Sequence, residues 1–384
     1  SEGYRHYELS LRYFVGRNFH SLADYFSPKN LPLLWRLKAL TTHASNTRRY
    51  FRDSRLLAAF SFQNMYLGLS PYDAPATFSL LQYTEMCEGV WYPAGGMYRV
   101  IESLVAIAEG LGVLFHYHAP VARIDVEDHR ATGVTLADGE RLPADLIIAN
   151  ADLPYVYARL LPDDGTAQKL RNRRYTSSAL MFYWAVSGER TPALLHHNVF
   201  LADHQYRQSF DRIFKDLTLP DQPSFYINAA SRTDAGVAPS GSDAIMALVP
   251  VGHINDRQPQ DWDSLRRRAR ATVLNRLEML GVANIGQRIS AEASLGPREY
   301  ERDLNLSKGA AFGLSHDFFQ VGYLRPHNRH PRYRNLYFVG ASTHPGTGLP
   351  IVLLSAKLVD ERIAQEQPAP GRTIFAVPAA ATGA

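Results

Sequence analysis

Asn335-Leu336-Tyr337-Phe338-Val339-Gly340 reads as a buried strand running into a glycine, and Leu349 to Glu361 reads as a helix. Between them stands Ala341-Ser342-Thr343-His344-Pro345-Gly346-Thr347-Gly348. A strand, a glycine loop and a helix in that order commit the chain to an α/β layer, whatever the rest does. Gly346 and Gly348 let backbone N–H groups approach a ligand, and the helix start adds unpaired donors and a positive dipole end. The unit suits a phosphate or an electron-rich carbonyl such as the pyrimidine edge of a flavin. It equally suits a glycine-rich turn before a packed helix, because two glycines are a short fingerprint.

The rest of the chain must supply a core for that layer. Of 384 residues, 46% are apolar and 20% charged, which excludes disorder as the main state. The single cysteine, Cys87, excludes an internal disulfide framework and sits in apolar context as a buried structural thiol. Residues 1–90 read as mainly helical, with Leu31, Leu34, Leu37 and Leu40 at helical spacing beside Trp35, Arg36 and Lys38. That stripe is either ordinary core or a helix lying on a membrane surface. Next comes a helix with Val100, Leu104, Ile107, Ala108 and Leu111 on one face, then an apolar strand at Val113-Leu114-Phe115. Strands at 122–126 and 131–136, a hairpin turn at Asp138-Gly139, and a strand Leu146–Ala149 apolar on both faces follow. Between 151 and 290 the strand candidates are 179–186, 224–228 and 244–249, and Leu265, Ala269, Val273, Leu277 and Leu280 mark a long helix. Beyond Gln365 the composition turns to Pro, Ala, Gly and Thr, as in a disordered tail or a linker.

Several chemistries find no support. Neither G-x-G-x-x-G between a strand and a helix nor G-x-x-x-x-G-K-[ST] occurs in the chain. The histidine pairs 116/118, 196/197 and 327/330 lack metal-ligand spacing and nearby carboxylates, so no metal is expected. No G-x-S-x-G elbow supports acyl transfer. The net charge of +4 and one arginine run at 266–270 do not make a nucleic-acid surface. No secretory signal and no apolar run of spanning length is visible.

The stretch from Asn335 to Pro350, ending in Ser355-Ala356-Lys357, closely resembles the C-terminal signature of bacterial-type phytoene desaturases. So do Leu324-Arg325-Pro326-His327-Asn328, Ala59-Phe60-Ser61-Phe62, Val90 to Gly96, Ala149-Asn150-Ala151-Asp152, Thr233-Asp234 and Ala238 to Gly241, in family order. The resemblance implies an α/β fold, with a doubly wound FAD-binding domain drawn from 91–150 and 290–365. It also implies a mixed α+β substrate domain drawn from 1–90 and 151–289, before the tail at 366–384. It implies FAD, with Gly340, Ala341, Thr343, Pro345, Gly346, Gly348, Leu349 and Pro350 around the flavin ring, Asn150 and Ala151 closing on the cofactor, and Val121 by its adenosine half. The implied reaction removes hydrogens from a long polyene hydrocarbon by hydride transfer to flavin and proton loss. Gly95, Gly96, Phe60, Phe62, Phe182 and Trp184 are then expected along the substrate channel, and Asp303 is the catalytic carboxylate by position. The family opens with a strand and a G-x-G-x-x-G helix for the pyrophosphate, so the chain is expected to be a member without that front. Near Asp303 it reads Gly296-Pro297-Arg298-Glu299-Tyr300 where the family tends to read Thr-Pro-x-Asp-Phe. A related isomerase, a dehydrogenase, a squalene-type desaturase and an inactive fragment stay open. A lipophilic carotenoid as substrate implies a cytoplasmic protein attached peripherally to a membrane, with no nucleic-acid partner.

Overall fold

The computed structural model describes residues 2–188, 190, 193–202 and 205–367. The tail expected at 366–384 lies outside the described residues from 368 onward.

Among the described residues ten strands fall in three sheets: β1 (Val121–Glu127), β2 (Arg130–Leu136), β3 (Arg141–Pro143), β4 (Ile147–Ala149), β5 (Ser178–Ser187), β6 (His197–Phe200), β7 (Phe225–Asn228), β8 (Ser242–Val251), β9 (Ile289–Leu295) and β10 (Leu336–Phe338). The largest sheet runs β6-β7-β8-β5-β9, antiparallel throughout. Period-2 alternation sends Leu180, Phe182, Trp184 and Val186 of β5 to one face. The helix Trp262–Met279 lays Leu265, Ala269, Val273 and Leu277 onto that core at a spacing of four. Arg266 and Arg270 flank that stripe, Arg266 pairing with Glu299 at 2.6 Å and Arg270 with Glu292 of β9 at 2.8 Å.

The α/β layer is carried by β4 and β10, which pair parallel with Leu336 opposite Ile147 and Phe338 opposite Ala149. Asn335 bolts the meander β1-β2-β3 to this pair. Its amide donates to the carbonyls of Ala131 and Asp145 at 2.7 Å, and its carbonyl accepts from the Ala131 N–H at 2.8 Å. Ile124, Ile147, Leu336 and Phe338 share one core, while Tyr337 packs with Val359 and Ile363 of the helix Leu349–Glu366. The first 90 residues are short helices, as expected, and they reach this layer directly. Asn18 donates to the Leu358 carbonyl at 2.8 Å.

Three expectations are corrected. Val113-Leu114-Phe115 forms no strand: all three are exposed, as are Ile101, Leu104 and Ile107 of the helix Tyr98–Gly110. An apolar run becomes a strand only when another strand takes its backbone groups, and among the described residues none does; the Val113 N–H instead donates to the Ala108 carbonyl at 3.0 Å. β4 is apolar on both faces, yet Ile147 is buried and Ile148 is half exposed. Cys87 is exposed rather than buried.

Candidate functional site

The N–H of Val339 donates to Ala149 at 3.1 Å, which prolongs the parallel pair and sets Gly340 beside Asn150. A Cβ on Gly340, whose φ is +111°, would stand 3.4 Å from the Asn150 amide oxygen. Gly340 and Asn150 are thus brought together. At the far end of the loop the Thr347 N–H donates to His316 Nε2 at 3.1 Å, and a Cβ on Gly346 would stand 2.5 Å from that same atom. At Gly348 the neighbourhood opens: the nearest atom to an added Cβ would be in the Ile351 side chain, 3.8 Å away. That space lies before the N-terminus of Leu349–Glu366, where Pro350 has no N–H, Ile351 and Val352 donate to the Gly348 carbonyl at 2.9 Å, and the Leu349 N–H has no backbone partner among the described residues. The loop therefore frames a concave site with a backbone donor at its rim.

Arg325 holds the loop in shape. It is 1% exposed, and all five of its donors end on main-chain carbonyls. Nε reaches Thr343 at 2.8 Å, Nη1 reaches Ser315 at 2.8 Å and Gln320 at 3.0 Å, and Nη2 reaches Leu314 at 3.0 Å and Ala341 at 2.5 Å. One guanidinium stitches 314–320 to 341–343. Burial pushes it down to about 9, so it is still charged at neutral pH. Ser342 donates to Asp152 at 2.5 Å and the Ser307 N–H to the other oxygen at 2.9 Å, while burial raises that carboxyl.

Beneath the loop lies an apolar cavity of about 200 Å³. Phe14, Leu34, Leu37 and Leu81 from the N-terminal helices face Phe318 and Ile351 across it. Gly346, Thr347, His316 and His344 complete the loop side, and among the described residues no charged side chain lines it. Both rings are buried, and burial pushes His316 well down and His344 to about 4, so both are neutral at pH 7. His344 Nε2 donates to the Arg17 carbonyl at 2.9 Å, which leaves the lone pair on Nδ1. His316 has the opposite tautomer, since its Nε2 accepts from Thr347. Neither Nδ1 has a partner among the described residues.

Other expected residues fall elsewhere. Asp303 is exposed on the helix Pro297–Leu304 and bound to Arg302 at 2.6 Å, which lowers its carboxyl. Phe182 and Trp184 are in the sheet core, stacked at 5.7 Å, Phe62 packs with Tyr206 and Phe210, and Phe60 stacks on Phe51 at 4.6 Å. None of the four lines the cavity. Gly95 and Gly96 form an exposed turn tied to Asp234, whose carboxylate accepts the Gly95 N–H at 2.6 Å. Val121 packs at the edge of the meander core. No cluster of three potential metal ligands occurs among the described residues. Sequence reasoning missed the cavity wall and His316, which comes from a segment without local periodicity.

Residues 6–364 match the family of flavin containing amine oxidoreductases. The chain is 44% identical to the phytoene desaturase of Neurospora crassa over 95% of its own length and 64% of that protein's. It is 44% identical to a zeta-carotene-forming phytoene desaturase of Myxococcus xanthus, over 100% of this chain and 73% of that one. It thus spans about two thirds to three quarters of these relatives' length. Among solved structures, an oxidoreductase from Methanosarcina mazei shares the fold, with a TM-score of 0.57 and 18% identity over 89% of this chain and 75% of that one.

Proposed function

This chain belongs to the family of flavin containing amine oxidoreductases, and on that premise we propose that it desaturates a long polyene hydrocarbon of the carotenoid class with FAD. The observation that carries the reading is an apolar cavity without charged lining, set directly against the glycine loop. The relatives at 44% identity bear the names of phytoene desaturases, which supports the same substrate class.

The residues present fit the ring end of the cofactor. Gly340, Gly346 and Gly348 leave room where side chains would project, and the Leu349 backbone offers its N–H to an electron-rich carbonyl. Thr343, Ala341 and Pro345 belong to the same loop, and Pro350 has no N–H to lose in the first helical turn. When bound, FAD supplies the hydride acceptor. The chain's own part is to hold that ring against the cavity, through carbonyls that Arg325 fixes, and to keep water away. A hydrocarbon offers no hydrogen bonds, so its affinity comes from buried area, about 0.8 kcal/mol per methylene. Phe14, Leu34, Leu37 and Leu81 provide that surface.

Substrate then reaches the cavity from lipid. The short helix Leu31–Arg36 and the turn after it put Leu34 and Leu37 on the cavity while Trp35 and Leu40 are 83% and 85% exposed. Arg36 and Arg49 stand beside that patch. Aromatic and aliphatic tips within a basic rim suit the headgroup layer of a membrane. No described helix is long and apolar enough to cross one.

The test is carotenoid analysis of phytoene-accumulating cells expressing the protein. Conversion to more unsaturated carotenes is expected, and unchanged phytoene beside well-expressed, yellow, FAD-loaded protein refutes the reading. Trp35→Glu combined with Leu40→Glu is expected to abolish sedimentation with anionic vesicles and leave flavin content unchanged.

A further inference from the structure

Leu31, Leu34, Leu37 and Leu40 stand three apart, but the helix that begins at Leu31 ends at Arg36. Lys38 turns the backbone at a φ of +52°, and the Ala39 N–H donates to the Leu34 carbonyl at 3.1 Å, as helix-ending turns do. Thr77 fixes the turn through the Leu37 carbonyl at 2.8 Å, and Lys38 fixes it through Glu2 and Asn46. The stripe is thereby split. Leu34 and Leu37 line the cavity under the glycine loop, while Leu31 and Leu40 line a second, outer cavity of about 770 Å³. Leu34, Ala39 and Phe318 line both, so they form a common wall. Phe318 reaches that wall from the segment 314–320, whose carbonyls Arg325 ties to the glycine loop. The wall therefore stands at a fixed place relative to the loop. The outer cavity has a chemistry of its own. Leu9 and Phe26 add apolar surface, Glu2 and Lys38 pair with each other, and Arg5, Arg36 and Arg49 are exposed around it.

We propose, resting on the desaturase reading, that the outer cavity is the second half of the substrate site and binds the end of the polyene that is not reacting. The inner cavity, at about 200 Å³, falls below the roughly 300–1,000 Å³ of sites that enclose a drug-sized ligand, and a carotene is longer than such a ligand. The outer cavity supplies the remaining length. The chain passes from one to the other beside Ala39, the smallest side chain of the common wall, with Leu34 and Phe318 as its other sides. Hydrocarbon finds apolar contact on both sides of that wall, from Phe14 and Leu37 within and from Leu9, Phe26 and Leu31 without. The arginines do not serve the hydrocarbon, which offers them no partner. They suit the anionic headgroups of the lipid it comes from, and so mark the outer cavity as the mouth. Ala39 is then a specificity-determining residue, because any larger side chain there narrows the passage.

Two measurements decide it, both on FAD-loaded protein in detergent micelles. The first reads occupancy rather than activity. Leu31→Cys, in a Cys87→Ser background that removes the exposed native thiol, is labelled with acrylodan. Its emission is expected to move to the blue as phytoene is added, relative to empty micelles, and to saturate. Emission that stays put at phytoene concentrations saturating wild-type conversion overturns the proposal. The second is Ala39→Phe. Its KM for phytoene is expected to rise about ten-fold or more with kcat within about two-fold, the pattern of lost binding, while flavin content and Tm stay as in wild type. A KM within about two-fold of wild type, or loss of flavin in step with activity, overturns the proposal. If wild-type protein converts phytoene in the same assay, such a result removes the outer site alone. If wild type leaves phytoene unchanged, the desaturase reading falls, and this site with it.

Discussion

Replacing Arg325 by methionine keeps an unbranched apolar stem and removes every donor. Five carbonyls then lose their partner, and of these only Ser315 has a second donor among the described contacts, the Gln320 amide at 3.2 Å. Four buried carbonyls left unpaired cost about 1 kcal/mol each, with some return from no longer burying a charge, or about 3–4 kcal/mol in all. That is a large share of a total stability of about 5–15 kcal/mol. Because Ala341 and Thr343 are two of the four, the damage falls on the glycine loop, and flavin content is expected to drop before the fold is lost. The assay pairs thermal melting with the ratio of flavin to protein absorbance. Arg325→Met is expected to lower Tm by roughly 5–10 °C and to come off purification largely colourless. Arg325→Lys keeps the charge but offers three donors without the planar fork, and falls between. A methionine variant that melts within about 2 °C of wild type and retains its flavin would refute the reasoning, because the five bonds would then carry neither stability nor loop geometry.

Gly346→Ala places a methyl 2.5 Å from His316 Nε2 at a φ of +142°, against a ring buried on every side; a loss of about 1–3 kcal/mol with reduced flavin content is expected in the same two measurements. Asp303→Asn, at an exposed position paired with its neighbour Arg302, is expected to leave kcat within about two-fold, far from the 10²–10⁴ of a proton-transfer group. Glu2 gives a pH signature. Burial by itself raises its carboxyl, yet hydrogen bonds from Lys38 and Asn46 hold it down to about 2, against 4.5 in the unfolded chain. A folded pKa below the unfolded one means stability that is present above pH 4.5 and lost as pH falls toward about 2. Glu2→Gln is expected to flatten the Tm profile over that window, lowering Tm at neutrality and approaching wild type only near pH 2.

How far the chain could be read in advance differs from element to element, for physical reasons. β5 and the helix Trp262–Met279 were legible because burial on one face leaves a period in the sequence, and both appear within a few residues of the expected bounds. The loop at 341–348 was legible because glycine between a strand and a helix does a job other residues do poorly. The cavity was not, because its walls come from Phe14, Leu37, Leu81, Phe318 and Ile351, brought together only by the fold. Aromatic richness pointed to Phe182 and Trp184 as channel lining, but a ring on the inner face of a five-stranded sheet is core, and nothing local separates the two cases. Asp303 failed for a similar reason: its place in the sequence is near the loop's partner segments, while its side chain turns to solvent and Arg302. Val113–Phe115 shows the converse, an apolar run whose strand character depends on a neighbour the pattern does not contain.

The most direct test of the central claim is anaerobic mixing of the FAD-loaded protein with phytoene in lipid vesicles, following flavin absorbance and carotene products together. The account predicts that the flavin bleaches while an equal amount of a more unsaturated carotene appears, and that Leu37→Trp, which fills the cavity, keeps its flavin but shows neither change. Bleaching without a new double bond, or full conversion by the filled-cavity variant, would contradict it.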